Sequence, residues 1–369
     1  MIFFLLLISA YSCLLFYMAF AWRKIATPIS KGVPLKVTVL VPFRNEELHL
    51  KRLIQSFRQL IYPKELIDFI FVDDHSDDGS FGLLEQILSD FPYPYKLLKL
   101  ADEKGGKKEA IMEGVNCSHA DVILTTDADC QVNSDWVSEM QSAFNSPAIH
   151  LVSGSVVFEA NNFQERIFQM EFAPLIGVGG VSIWLGKPTM ANGANLAFKR
   201  NTFLSLDAFN NNLHIPTGDD VFLLQKMSQH YPGGIKFQKS SVVTTKAPSN
   251  VSTFFHQRIR WASKWKAVAE RKNKLPALMV WFFHFLYLIG LFTFINQIHY
   301  AMAFLLLFIK SIGEFAFIYS ILKSQHQKFS SLSFCFLQVF YSFYVVLFGL
   351  LANFAGYQWK GRSYGKHER

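Results

Sequence analysis

Charged residues are scarce in this chain. Asp, Glu, Lys and Arg make up 17% of its 369 residues, whereas hydrophobic residues make up 51% and 38 residues are phenylalanine. An ordinary soluble domain carries about 25% charged residues, so this composition excludes a wholly soluble protein. Four apolar runs are each long enough to cross a hydrocarbon layer of ~30 Å as a helix. They are Ile2–Ala21, Ala277–Ile295, Tyr300–Leu322 and Leu332–Phe354.

Cysteine is also rare. Cys13 and Cys335 fall in apolar runs, Cys117 and Cys130 fall between them, and no Cys-x-x-Cys occurs. This spacing suggests neither a disulfide framework nor a cysteine-based zinc site. Unpaired cysteines fit a domain in the reducing cytoplasm.

The first apolar run has no cationic residue before it, since Arg23 and Lys24 follow it. A cleaved signal peptide usually has its cations in front, so residues 1–24 are predicted to be a retained transmembrane anchor. The alternative is a signal peptide. The positive-inside rule then places the amino terminus outside and the following domain in the cytoplasm, at the inner or plasma membrane if the source is bacterial.

The net charge of +8 comes from cations that bracket the apolar runs, such as Lys36, Arg258 and Lys274. No basic-aromatic nucleic-acid motif is present, so we predict contact with anionic lipid headgroups and no nucleic-acid partner. The predicted organisation is a globular domain at 31–274, two or three transmembrane helices at 277–354 and a basic tail at 355–369. Three spans would leave this tail outside, against the positive-inside rule, unless one segment re-enters or lies in the interface.

The middle of the chain alternates strand and helix patterns, which indicates βαβ units and a mostly parallel sheet. The predicted strands are Lys36–Val41, Leu66–Val72, Lys96–Leu100, Asp121–Thr125 and Leu151–Phe158. The predicted helices include Glu46–Leu60, Phe81–Phe91, Lys107–Asn116 and Val221–His230. In such sheets, ligands bind beyond the carboxyl ends of the strands.

Three strand exits carry polar or acidic residues: 42–46, Asp73-Asp74 and Asp127-Ala128-Asp129. Mg²⁺ and Mn²⁺ prefer oxygen ligands and often bind through one or two carboxylates plus substrate phosphates. Asp127 and Asp129 are therefore candidate ligands of a magnesium or manganese ion, and a solvated turn is the alternative. Lys107, which opens a helix after two glycines, is a candidate for contact with a phosphate or carboxylate, or is simply a surface residue.

Two further segments are candidates for chemistry. Asp219 and Asp220 precede a helix, where they either cap it or supply a general base to an acceptor hydroxyl. Gln257-Arg258-Ile259-Arg260-Trp261 lies just before the membrane runs. It is either an interfacial belt or a site where arginine neutralises a diphosphate and tryptophan stacks on a sugar or lipid.

Residues 163–188 mix an amphipathic part, FQERIFQMEF, with a glycine-rich apolar part, LIGVGGVSIWLG. The glycines interrupt the pattern too often to predict a bilayer span. We predict a segment in the membrane interface, with a covered loop of the domain as the alternative. In the span at 300–322, Lys310 and Glu314 are four residues apart and are predicted to pair; a functional role is the alternative.

Taken together, VPFRNEE, FVDDHSDDGS, the Gly-Lys helix start, TTDADC, TGDD and QRIRW resemble the membrane-embedded family-two glycosyltransferases. That family includes cellulose, chitin and hyaluronan synthases and ceramide glucosyltransferase. Each motif alone is weakly specific, but six occur in the expected order over about Lys36–Trp261. The resemblance implies an α/β GT-A domain, with a mostly parallel sheet and a Rossmann-like nucleotide-binding half, plus transmembrane α-helices.

The resemblance also implies roles for the residues that match. Asp73 and Asp74 are expected at the base and ribose, and Asp127 and Asp129 at the divalent cation. Asp220 is expected to be the general base, and Asp219, the other member of the catalytic pair, stands where the family more often has Glu. The expected substrate-binding residues are Pro42, Arg44, Asn45, Glu46, Asp73, Asp74, Lys107, Asp127, Gln257, Arg260 and Trp261.

The implied reaction is inverting, metal-dependent transfer from a nucleotide-diphosphate sugar, with UDP expected on family grounds. Few membrane runs and a short tail favour a lipid acceptor over a polymer, with Asn192–Asn195 and residues 163–188 framing it. The alternatives are a processive polysaccharide synthase and a non-catalytic nucleotide-sugar-binding membrane protein. A transporter that uses Lys310 and Glu314 is disfavoured because most of the chain is globular.

Overall fold

The computed structural model describes residues 1–27, 32–210, 212–213, 215, 217–267, 271–351, 357–359 and 362–364. The chain forms two units. The helical unit comprises Met1–Lys24, Ala160–Gly177 and Ala247–Arg369, and the α/β unit comprises Ile25–Glu159 and Val178–Lys246. Residues 160–177 and 247–274, expected in the globular domain, thus group with the membrane-type helices.

The described residues form twelve α-helices and ten strands. The helices are α1 Ile2–Lys24, α2 Glu47–Phe57, α3 Ser80–Ile87, α4 Lys107–Cys117, α5 Trp136–Ser142, α6 Phe163–Trp184, α7 Arg200–Ser205, α8 Asp219–His230, α9 Val251–Ala267, α10 Arg271–Asn296, α11 Tyr300–Ser324 and α12 Ser331–Leu351. The strands are β1 Val37–Phe43, β2 Ile67–Asp73, β3 Tyr95–Lys99, β4 Val122–Thr125, β5 Cys130–Gln131, β6 Leu151–Glu159, β7 Leu196–Lys199, β8 Ile235–Lys246, β9 Tyr357–Trp359 and β10 Arg362–Tyr364.

An eight-stranded sheet forms the centre of the α/β unit, in the order β3-β2-β1-β4-β7-β6-β8-β5. Strands β3, β2, β1 and β4 are mutually parallel. Every residue of β1 and β4 is buried, which explains their continuous β-branched and apolar sequences. The predicted parallel sheet of βαβ units is confirmed in this half.

Strand β1 continues to Phe43, two residues beyond its predicted end, and contains Pro42. Its pairing with β4 ends at Leu40, whereas its pairing with β2 continues to Phe43. Proline lacks an N–H, so it is tolerated where one neighbouring strand has already ended. Pro42 is therefore a buried strand residue.

The other half of the sheet is mixed. Strand β7 is antiparallel to β4 and β6, β6 is parallel to β8, and β5 is antiparallel to β8. Strands β5 and β7 have two and four residues, too short for a periodic sequence signal. Helices α4 and α8 both contribute to the core cluster over the parallel strands, through residues such as Ile111 and Leu224 beside Leu40 and Ile70.

In the helical unit, α1 runs antiparallel to α10 and parallel to α11. Phe4 contacts Phe294 near the end of α10, whereas Trp22 Nε1 donates a hydrogen bond to Ser324 at the end of α11. The beginning of α10 and the end of α11 therefore lie toward the same end of the bundle.

Helix α12 starts and finishes toward that same end. Phe334 contacts Phe315 in the second half of α11, whereas Trp281, in the first half of α10, donates to the carbonyl of Val346. Phe348 packs against Phe254 of α9. The helix thus crosses the bundle obliquely, and the chain leaves it near α9. The predicted end of this run at 352–354 lies outside the described residues, as does the tail apart from β9 and β10.

Within the described residues, five helices are long and apolar enough to cross a membrane: α1, α6, Leu275–Asn296 of α10, α11 and α12. Four of these match the predicted runs. The fifth, α6, is one continuous helix that contains Pro174 and all the glycines of the LIGVGG part. It is 67% buried over its most apolar window, against 22–39% for the others.

Candidate active site

The predicted convergence of strand exits is present in the α/β unit. Strands β2, β1 and β4 are adjacent and parallel, so their carboxyl ends open at one edge of the sheet. Asp73 is the last residue of β2 and pairs with Phe43 of β1, and Asp127 follows β4 by two residues. The three exits therefore line one edge.

The loop after β1 supports the loop after β2. Arg44 Nη1 donates to the carbonyl oxygens of Asp74 and His75, at 2.7 and 2.6 Å. Asn45, in a left-handed conformation with φ 52°, exchanges two hydrogen bonds with Asp77, through its Nδ2 and its Oδ1. The predicted substrate-binding residues Arg44 and Asn45 thus hold the loop that carries the acidic pair. Glu46 is buried and its carboxylate contacts His49 at 2.7 Å.

Asp73 and Asp74 are both 3% exposed. Asp73 Oδ1 accepts from the Ser76 amide and hydroxyl, at 3.1 and 2.5 Å. Asp74 Oδ1 accepts from the amide of Gly106, at 2.9 Å, which joins the β2 exit to the beginning of α4. The acidic pair is therefore held rigidly by main-chain and side-chain donors.

Lys107, the first residue of α4, connects two of the predicted acidic sites. Its Nζ lies 2.6 Å from Asp127 Oδ1 and 3.2 Å from Asp219 Oδ2. Burial alone would lower the pKa of Lys107, but the carboxylates of Asp127 and Asp219 raise it above its ordinary value. Lys107 is thus a cation between the β4 exit and the start of α8.

Asp127 and Asp129 flank the buried Ala128, and the Asp127 side chain is 39% exposed. No group of three or more His, Cys, Asp or Glu side chains that could hold a metal occurs in the described part of the chain. Two carboxylates fit Mg²⁺ or Mn²⁺ when substrate phosphates complete the oxygen shell. Burial, and then the nearby Asp129 and Asp127, raise the pKa of the Cys130 thiol well above its ordinary value, so this thiol stays protonated.

The TGDD segment forms the start of α8. Gly218 has φ 88°, a left-handed conformation that favours glycine, and the helix begins at Asp219. The side chain of Asp220 accepts from the amides of Val221, at 2.8 Å, and Gly193, at 3.4 Å. Helix amino termini stabilise carboxylates, and Asp220 lies there, 7% exposed, beside the Lys107 cluster.

Gly193 was not predicted to lie beside Asp219 and Lys107. A Cβ atom at this position would lie 2.8 Å from Asp219 Oδ2 and 3.1 Å from Lys107 Nζ. Asn195, expected to frame an acceptor, instead uses its fully buried amide to bind the carbonyls of Ser155 and Ser241 and the indole of Trp136. The sequence does not distinguish the role of Gly193 from that of Asn195. The difference depends on which residues lie near each of them in the folded sheet.

We expect Gly193→Ala to lower activity while the unit stays folded. The new methyl group meets only the ends of two flexible side chains, so the main change is displacement of the Lys107–Asp219 contact. Misplacement of a reacting group by about 1 Å can reduce a rate about 100-fold. Turnover and the unfolding midpoint would be measured beside Gly82→Ala, whose methyl group enters open space. Wild-type turnover in Gly193→Ala would contradict the prediction that a methyl group here displaces the Lys107–Asp219 contact.

The remaining predicted site residues lie in the helical unit. Gln257, Arg260 and Trp261 are on α9 and are each partly buried. The indole of Trp261 lies 5.5 Å from the ring of Phe172 on α6. Gln257 Oε1 is buried and has no hydrogen-bond partner in the part of the chain that the structure describes.

One buried ion pair in this unit was not predicted from the sequence. Arg258 Nη2 donates to Glu171 Oε2, and Tyr344 donates to Glu171 Oε1 at 3.0 Å. The sequence offered two signals: an acid, Glu171, next to the glycine-rich apolar part, and a second arginine in QRIRW. Neither residue indicates its partner, because 87 residues separate them.

Residues 38–222 match the family model described as glycosyl transferase family 2. Two curated relatives are the probable glycosyltransferase YdaM of Bacillus subtilis, 25% identical over 237 residues, and a beta-monoglucosyldiacylglycerol synthase of Synechocystis sp., 27% identical over 237 residues. Both matches cover 62% of this chain, and they cover 54% and 47% of the relatives, so the chain spans about half their length.

A solved structure of similar architecture is the mannosyltransferase PcManGT from Pyrobaculum calidifontis, in complex with GDP-Man and Mn²⁺. The match has a TM-score of 0.57 and 16% sequence identity, and it covers 95% of this chain and 96% of that one. At this identity the similarity shows a common fold.

Proposed function

Because the chain belongs to glycosyl transferase family 2, we propose that it transfers a sugar from a nucleotide-diphosphate sugar to a membrane lipid or lipid-linked acceptor, with inversion at the anomeric carbon. The observation that carries this proposal is the cluster in which Lys107 joins the β4 exit to the catalytic pair at the start of α8. This cluster brings a candidate diphosphate site and a candidate base to the same edge of the sheet.

The donor nucleotide is proposed to bind at the exits of β1 and β2. Asp73 and Asp74 would accept hydrogen bonds from the base and ribose, and the network around Arg44 and Asn45 holds them in place. Lys107 is protonated, and it would also offer its charge to the diphosphate. We propose UDP as the nucleotide.

Asp127 and Asp129 are the residues that would hold a Mg²⁺ or Mn²⁺ ion, which would neutralise charge on the departing diphosphate. Asp127 already faces a cation, the Lys107 ammonium, so its surroundings favour positive charge. In the helical unit, Arg260 is proposed to add a further positive charge for the leaving group, and Gln257 and Trp261 to contact substrate.

Asp220 is proposed to act as general base. The acceptor hydroxyl oxygen forms a bond to the anomeric carbon, the bond from that carbon to the diphosphate oxygen breaks, and Asp220 takes the hydroxyl proton. A single displacement of this kind needs one carboxylate base and no carboxylate nucleophile, and it inverts the anomeric configuration. The transition state is expected to resemble an oxocarbenium ion.

The lipid acceptor is supported by five helices of membrane-spanning length in the described residues and by a relative named beta-monoglucosyldiacylglycerol synthase. We propose an integral membrane protein whose α/β unit faces the cytoplasm. The oblique path of α12 returns the chain toward the end of the bundle where α10 begins. The basic tail would then also be cytoplasmic, as the positive-inside rule requires.

The test is a transfer assay on the purified full chain with UDP- and GDP-sugars, with and without lipid extract. We expect one sugar to be added to a lipid, with inverted configuration. A ladder of oligomers would instead identify a processive polysaccharide synthase. Absence of transfer and hydrolysis from every donor by folded protein would overturn the proposal and favour a non-catalytic binding protein.

Removal of divalent cations is expected to abolish transfer. EDTA would leave Asp127 and Asp129 without the ion that carries the diphosphate, and added Mn²⁺ or Mg²⁺ should restore the rate. The control is the same buffer at the same ionic strength without chelator. Full activity in EDTA after exhaustive dialysis would contradict metal dependence and leave Lys107 and Arg260 as the charges on the leaving group.

A further inference from the structure

The buried charges of the helical unit include a pair that the proposed mechanism does not use. The side chains of Arg258 and Glu171 are 4% and 6% exposed, and they join α9 to α6. The remaining Glu171 oxygen accepts from Tyr344, which adds α12 to the same contact. Three helices therefore meet at one carboxylate.

The guanidinium of Arg258 is enclosed by aromatic rings. Its central carbon lies 4.2 Å from the ring of Trp261 and 4.7 Å from that of Phe254. Its Nε and Nη1 are buried and have no hydrogen-bond partner in the described residues. Glu171 thus supplies the main opposite charge for the buried Arg258 cation. Removal of one member of such a pair strongly destabilises the folded state, because the other charge stays buried without a partner.

Helix geometry assigns different directions to the two arginines of QRIRW. Successive residues of an α-helix are about 100° apart, so Arg258 and Arg260 project about 160° apart around α9. Trp261 and Phe254 lie on the Arg258 side, in agreement with their ring contacts to its guanidinium. The Glu171 contact therefore fixes the rotation of α9 about its own axis, and with it the direction of Arg260.

We propose that Glu171, Arg258 and Tyr344 form a positioning device for α9, which fixes the direction in which Arg260 projects from the helix. The inference rests on the proposed function, because it uses the assigned role of Arg260. Arg258 is a positioning residue and Arg260 is the arginine that contacts substrate. The aromatic box around Arg258 includes Trp261, so the same contact also orders the proposed sugar or lipid platform.

The test uses Glu171→Gln in the full chain, alone and combined with Arg260→Gln. We expect Glu171→Gln to lower kcat about 10- to 100-fold, the size of effect expected when a group is misplaced by about 1 Å. The KM for the donor should change little, because the nucleotide is bound by the α/β unit. The double variant should be no slower than Arg260→Gln alone, since Glu171 acts through Arg260.

Two further variants separate positioning from simple loss of folding. Lys323→Gln removes a cation from the end of α11 and should keep wild-type kcat. Tyr344→Phe removes one hydrogen bond and should give a smaller fall in kcat than Glu171→Gln. Multiplicative effects of Glu171→Gln and Arg260→Gln, or unchanged kcat per folded enzyme in Glu171→Gln, would overturn the positioning role. Absence of transfer by the wild-type chain would instead overturn the proposed function.

Discussion

Replacement of Asp220 with asparagine is expected to reduce sugar transfer about 10²- to 10⁴-fold, the usual contribution of a general base. An amide has nearly the same shape as a carboxylate but cannot take the proton from the acceptor hydroxyl. In the wild type, Asp220 Oδ1 accepts from the amide of Val221 and Oδ2 accepts from the amide of Gly193. The single side-chain oxygen of asparagine can keep the shorter contact to Val221, so α8 should begin as before, while the 3.4 Å contact to Gly193 is lost. The loss should appear in kcat.

Donor binding should survive in the Asp220→Asn variant. The proposed nucleotide contacts come from Asp73, Asp74 and the β4 exit, and the Lys107–Asp127 contact does not involve Asp220. Binding of the nucleoside diphosphate with Mn²⁺ would be measured by titration calorimetry, and transfer by product formation. Asp102→Asn, in an exposed turn after β3, is the matched control.

If Asp220→Asn kept turnover within a few-fold of the wild type, Asp220 would not be the general base. Asp219 would then be the candidate base. These outcomes are distinguishable, because Asp219 contacts Lys107 at 3.2 Å. Asp219→Asn would change the charge around Lys107 and Asp127, so it should affect diphosphate binding as well as rate. The ratio of KM to kcat effects thus assigns the two carboxylates separately.

The parallel half of the fold was predictable from sequence. Strands buried on both faces read as continuous apolar and β-branched runs, as in KVTVLV and the stretch before Asp127. Because parallel strands place their carboxyl ends at one edge, the location of Asp73-Asp74 and Asp127 at the same edge of the sheet followed from the strand assignment alone. The fold class, a GT-A domain with membrane helices, is confirmed.

The rest of the site was not predictable, because it depends on contacts between distant segments. Strand β7 brings Gly193 against the start of α8, yet Leu196–Lys199 is too short to recognise. Hydropathy gives the length of α12 but not its oblique path. Glycines suggested an interrupted segment at 163–188, although a continuous helix is maintained over Phe163–Trp184.

Lys310 and Glu314 provide the largest expected effect on stability. The predicted pairing is confirmed: Lys310 Nζ lies 2.9 Å from Glu314 Oε2, and the Lys310 side chain is fully buried. Tyr11 donates to the other Glu314 oxygen, and Gln338 accepts from Lys310, so α1, α11 and α12 share this network. Ionisable groups at such depth persist only when paired.

Lys310→Met should therefore lower the free energy of unfolding by about 3–5 kcal/mol, because it leaves a buried carboxylate without its cation. The double variant Lys310→Met/Glu314→Leu removes both charges and should recover much of that loss. Unfolding midpoints in detergent micelles, with Lys323→Gln as control, would measure both effects. If the double variant were no more stable than Lys310→Met, the network would stabilise through its hydrogen bonds. If stable double-variant protein lost transfer activity, the pair would have a functional role in addition to joining the helices.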